Sequence, residues 1–173
     1  NQTGGYNTII GNESYSQTAA IVNFAYVTTL GGEAGRYATG SYNTFIGAEA
    51  GKGNSSAPYS SGQNNVAVGY QALASFTTGG ANTAMGYQAG AAITTGINNI
   101  FIGHLAGDLV TTGTNNTVVG YGALGSADGG ERENIAVGFS AAGGMNNDSA
   151  IRNVFIGEYA GYGGTGALNY SVA

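Results

Sequence analysis

One histidine, nine acidic side chains and no cysteine are what this 173-residue chain offers for chemistry. His104 directly follows a glycine, at a position where parallel segments carry Tyr70, Tyr87, Tyr121 and Phe139. A Ser-His-Asp or Cys-His centre would have to be assembled around this single imidazole. Its place in an aromatic series assigns it a stacking or surface role instead. Transition-metal sites of the Cys/His type are excluded within one chain. The acids are Glu13, Glu33, Glu49, Asp108, Asp128, Glu131, Glu133, Asp148 and Glu158. Glycoside hydrolysis needs two carboxyls flanking the scissile bond, and no convincing acid/base pair stands out. Glu13, Glu33 and Glu49 each fall two residues after a recurring Gly, so they are expected to form a surface row that solvates the molecule or holds a cation. Gly161-Tyr162-Gly163-Gly164-Thr165-Gly166 matches the dinucleotide fingerprint formally, but it lacks the βαβ context and the following helix. It reads as a glycine-rich turn, and no cofactor or metal is expected. Sequons at Asn1, Asn12, Asn54, Asn115, Asn147 and Asn169 carry little information in so Asn-rich a chain.

Composition narrows the class. There are 33 Gly and 1 Pro, and 8% of residues are charged, against roughly 25% in an ordinary domain. The four basic residues, Arg36, Lys52, Arg132 and Arg152, are scattered in a chain of net charge -5. Phosphate-backbone binding requires clustered cations, so no nucleic-acid partner is expected. No apolar run reaches the about 18 residues that a membrane-spanning helix takes. No initiator Met or signal peptide is visible, and the chain is expected to be a processed product or a fragment.

What positions these residues is a repeat. Its clearest copy is Asn82-Thr83-Ala84-Met85-Gly86-Tyr87-Gln88-Ala89-Gly90, and aligned glycines recur at Gly11, Gly31, Gly47, Gly69, Gly86, Gly103, Gly120, Gly138 and Gly157. The intervals run from 16 to 22 residues, with three consecutive ones of 17. The repeat cores are 7–15, 27–35, 43–51, 65–73, 82–90, 99–107, 116–124, 134–142 and 153–161, and a partial copy begins at Asn169 (169–173). Every core but the second opens on Asn. A period of this size marks a solenoid, so residues 1–173 are read as a single array with an all-β fold, a parallel β-roll or β-solenoid of about nine coils.

Each core holds a short strand. The residue after Asn is β-branched in all eight Asn-initiated copies: Thr8, Thr44, Val66, Thr83, Ile100, Thr117, Ile135 and Val154. Two residues on stand Ile10, Ile46, Val68, Met85, Ile102, Val119, Val137 and Ile156. Alternation puts these two sets on one face, which is assigned to the coil interior. The residue between them points the other way: Ile9, Phe45, Ala67, Ala84, Phe101, Val118, Ala136 and Phe155. Being apolar as well, this ribbon is expected to be an oligomer interface, because so long an apolar strip is not left wet. The Gly turns the chain, a small residue follows three positions later, and the Asn residues are expected to stack as a structural ladder. The row Tyr70, Tyr87, His104, Tyr121 and Phe139 is either an inter-chain seam or a strip on which sugars stack. The long connections Lys52 to Asn64, with Pro58, and Asn12 to Tyr26 are candidate binding loops.

The tandem motif Asn-x-[Ala/Phe]-[Val/Ile]-Gly-x-x-Ala, as in Asn65-Val66-Ala67-Val68-Gly69-Tyr70-Gln71-Ala72-Leu73 and Asn43-Thr44-Phe45-Ile46-Gly47-Ala48-Glu49-Ala50, resembles repeats of bacteriophage and prophage-type tail fibres. It is similar also to the head repeats of trimeric autotransporter adhesins, though the repeat here is longer. The resemblance implies a left-handed parallel β-roll, three chains side by side as a homotrimer, and an attachment fibre at a cell surface or virion. It brings no catalytic residues. The expected function is a non-enzymatic structural and adhesive segment, extracellular, with itself and a cell-surface glycan or receptor as partners. Ends that look uncapped would mean excision from a longer fibre or head-to-tail assembly into a filament. The alternative is a carbohydrate-binding or polysaccharide-cleaving tailspike module; ice binding ranks last, since Thr is concentrated in the linkers and in the strand positions assigned to the interior.

Overall fold

The computed structural model describes residues 5–16, 24–56, 58–127, 129–145 and 151–162. Among them are nine strands and no helix: β1 (Thr8–Ile10), β2 (Thr28–Leu30), β3 (Thr44–Ile46), β4 (Val66–Val68), β5 (Thr83–Met85), β6 (Ile100–Ile102), β7 (Thr117–Val119), β8 (Ile135–Val137) and β9 (Val154–Ile156). All pair in parallel, in sequence order, in one nine-stranded sheet. Register is kept from coil to coil, Val66 opposite Thr83 and Thr83 opposite Ile100. The chain is an all-β solenoid with one strand per coil. The partial repeat 169–173, the sequons Asn1, Asn147 and Asn169, Asp128 and Asp148 lie outside the described residues.

Three-residue strands supply few hydrogen bonds of their own, so the bonds beyond their ends matter. The first strand residue donates to the carbonyl of the next coil's Asn, as Thr83 does to Asn99 at 2.8 Å. The turn Gly donates back to the last strand residue of the preceding coil, as Gly86 does to Val68 at 2.8 Å. These glycines hold φ between +126° and +142°. From Gly11 to Gly138, a Cβ would fall under 3.0 Å from the carbonyl oxygen of the next coil's Gly. No other residue type fits there.

The interior is filled by the middle strand residue, which corrects the expected phase. Phe45, Ala67, Ala84, Phe101, Val118 and Ala136 are fully buried, Phe155 is 1% exposed, and Ile9 in the first coil is partly buried. The flanking residues, Thr8, Thr44, Val66, Thr83, Ile100, Thr117, Ile135, Val154 and Ile10, Ile46, Val68, Met85, Ile102, Val119, Val137, Ile156, face outward, half-buried or exposed. The physical reason lies one residue upstream. Asn43, Asn65, Asn82, Asn99, Asn134 and Asn153 are fully buried, and alternation then sends the next residue out and the middle residue in.

The buried Asn residues form a continuous ladder. The backbone N–H of Asn99 donates to Oδ1 of Asn82 at 3.0 Å, and its Nδ2 donates to Oδ1 of Asn82 at 3.0 Å and to the Gly113 carbonyl at 2.8 Å. The pattern recurs at Asn82 and Asn116. The Asn82 and Asn99 amides thus tie strand starts to the linker glycines Gly96 and Gly113, and the Asn116 amide ties one to Glu131. Packing in the core is complementary in size within several coils, and between neighbouring coils at Gly90, whose added Cβ would meet Phe101 and Leu73. Phe45, Phe101 and Phe155 share their coils with Gly51, Gly107 and Gly161, whose added Cβ would run into the Phe rings. Smaller Ala67 and Val118 share theirs with the buried Leu73 and Leu124.

Candidate functional site

The outward sheet face exposes aliphatic side chains along the whole array. Ile10 is 57% exposed, Met85 46% and Ile156 63%. In each coil from the fourth to the eighth, the two outward strand residues are followed, across the turn Gly, by an exposed aromatic or imidazole ring: Tyr70, Tyr87, His104, Tyr121 and Phe139. The proposed interface residues Ile9, Phe45, Ala67, Ala84, Phe101, Val118, Ala136 and Phe155 are not on this surface. All but the partly buried Ile9 are enclosed in their own chain's core and have no surface left for a partner.

The aromatic row is a ladder of stacked rings. Successive centroids lie 5.6, 4.8, 4.9 and 5.1 Å apart, with interplanar angles of 23°, 14°, 6° and 7°. Sugar stacking needs an open ring face. Here the faces cover one another, and the ladder offers solvent mainly edges and hydroxyl tips. That geometry supports the seam or ladder role over the sugar strip. His104 sits between Tyr87 and Tyr121 in the middle of it, consistent with the stacking role expected of it.

In the first three coils the same surface is built differently. Tyr6, Tyr26 and Tyr42 stack at 5.2 and 5.1 Å on the opposite side of the strands, each just before the strand-opening position. The acidic row is present there but is taken up by the chain's own cations. Arg36 bridges Glu13 at 2.7 Å and Glu33 at 3.1 Å, and Lys52 bridges Glu33 at 2.7 Å and Glu49 at 3.2 Å. The Lys52 ammonium, hydrogen-bonded to the Glu33 carboxylate, holds that carboxyl below its ordinary range against the opposing effect of burial. The row continues as amides: Gln71 donates to Glu49 and Gln88 donates to Gln71 at 2.7 Å.

Among the described residues no three His, Asp or Glu side chains gather as a metal-holding group. Glu133 pairs with Arg152 at 2.6 Å, and Glu131 is buried. No helix of the described residues is long and apolar enough to cross a membrane. The connection Lys52 to Asn64 is tied down: Ser60 Oγ accepts from the Asn54 N–H and donates to the Phe76 carbonyl. Of the connection Asn12 to Tyr26, residues 17–23 lie outside the described residues. Comparison with protein-family models, with curated proteins and with solved structures finds no match to this chain.

Proposed function

We propose that the chain is a structural and adhesive segment of a surface-exposed fibre, at a cell surface or on a virion. In this reading three copies, each a left-handed roll, pack side by side through the outward sheet face, and the segment itself carries out no catalysis. The observation that carries it is the exposed face. Two columns of mostly β-branched and aliphatic side chains run the length of nine coils, flanked from the fourth to the eighth by the aromatic ladder. At the spacing of stacked strands that is about 40 Å of continuous surface, well beyond the isolated apolar residues a monomer ordinarily shows. Thr8, Thr28, Thr44, Thr83 and Thr117 interrupt one column with hydroxyls, which suits a seam that also holds water. End-to-end assembly through the outer strands β1 and β9 is a variant of the same reading, and a glycan or receptor is the outside partner.

Light scattering on the purified chain, with negative-stain imaging of the same sample, tests this. The expected result is a short rod with three times the 17.2 kDa chain mass. Filaments would place the contact at the outer strands instead. A stable single-chain mass would overturn the reading.

A further inference from the structure

A trough lies away from the sheet face, where coils four and five have small side chains five and six residues after the turn Gly: Ala74-Ser75 and Ala91-Ala92. The third coil has Lys52 at the first of these positions and the sixth has Asp108-Leu109, so larger groups stand at both ends. The depression is about 340 Å³, and a second of about 390 Å³ shares Ala74 and Ser75 and extends to Asn54 and Thr77. Its long wall is the amide row. Gln88 gives its Nε2 proton to Gln71, which gives its own to Glu49. Gln71 and Gln88 both line the trough, and an amide side chain carries an oxygen able to accept a hydrogen bond. Asp108 lines the same space, and partial burial pushes its carboxyl above its usual range.

The chemistry of this lining selects a ligand class. No basic side chain lines the 340 Å³ compartment, and a carboxylate does, so an anion is disfavoured. One carboxylate is too few for a divalent cation. Two acceptors over a floor of Ala methyls fit a molecule with hydroxyl donors on its edge and C–H groups on its face. We propose that this trough binds one ring of a neutral saccharide. Its C–H face lies on Ala74, Ala91 and Ala92, with adjacent hydroxyls donating to Asp108 and Gln88 and the chain of sugars continuing past Ser75 toward Asn54. The proposal rests on the adhesive-fibre reading and gives its outside partner a place and a class.

The test is NMR of the full chain labelled at alanine methyls, titrated with the methyl glycosides of glucose, galactose, mannose and rhamnose at millimolar concentration. At least one sugar should shift Ala74, Ala91 and Ala92 selectively. Asp108→Asn and Ala91→Trp should each weaken that response by about tenfold or more, and Tyr121→Ala should leave it unchanged. Both trough variants should keep the wild-type melting transition, which separates lost binding from lost fold. If none of the four sugars moves these methyls, if shifts centre on the aromatic ladder, or if the trough variants respond like wild type, the proposal is overturned. Light scattering on the same samples separates the two readings. Sugar binding by a single-chain species would refute the fibre and keep the site, and a trimer without shifts would do the reverse.

Discussion

The first three coils and coils four to eight share one backbone geometry but are held by different side chains. In the later group the repeat length is 17 to 19 residues, the Asn ladder is unbroken, and the surface carries stacked rings after the turn and an amide pair. In the earlier group the intervals vary and Val27 replaces the Asn. Ser14 and Thr29 place hydroxyls in the core, 2.7 Å apart, and charges alternate along the surface. The lesson concerns which positions tolerate change. Any side chain that bonds or stacks with its own neighbour one coil away can serve on the outside. The turn Gly cannot be exchanged, because the backbone of the next coil fills the space.

The contrast can be broken most strongly in the core. Phe101→Ala should cost about 3–5 kcal/mol in denaturant unfolding, since Gly90 and Gly107 leave nothing beside the ring to fill the void. Asn99→Ala comes next, at about 1–3 kcal/mol. It strands the buried N–H of Asn116 and removes the tie to Gly113. Hydrogen exchange should show that loss in the sixth and seventh coils and not in the second, where Val27 already interrupts the ladder. Glu33→Gln should cost under about 1 kcal/mol, because the paired side chains still reach solvent, which screens them.

Acid sharpens the same point. The Glu33 pKa is lowered on folding, so its pairing stabilises the protein above the ordinary carboxylate range and is lost as pH falls through the depressed value. Asp108 is raised, so its contribution runs oppositely and favours the folded state as it protonates. On acidification, amide protection relative to the intrinsic exchange rate should therefore fall first in coils two and three. The smallest effect is expected from His104→Tyr, which should change stability by only about 0.2–1 kcal/mol, the range of a stacked cross-strand pair.

The coil architecture was legible because its signals are local and repeated: a β-branched residue after Asn, a Gly that ends each strand, a small residue three positions later. The phase of the strand was misassigned for a physical reason. The outer strand positions are β-branched or aliphatic throughout and the middle one is apolar in every copy but the second, so side-chain type alone does not choose an inner face. Two other signals do. Buried Asn and the middle residue are two apart and share a side. The pairing of Phe45, Phe101 and Phe155 with Gly51, Gly107 and Gly161, six residues on, betrays contact inside one coil. The trough is not legible in the sequence because it is made by absence of bulk at Ala74 and Ala91, which composition does not reveal until neighbouring coils are stacked.

The adjacent pair Phe101→Lys and Ile102→Lys tests the central claim most directly, by thermal unfolding followed with circular dichroism. Phe101 is fully buried and Ile102 is 36% exposed on the outward face. Phe101→Lys should lose the cooperative transition, whereas Ile102→Lys should keep the β spectrum and a cooperative melt. The opposite ranking, with Phe101→Lys folded and Ile102→Lys unfolded, would contradict the account and return the middle column to the outside.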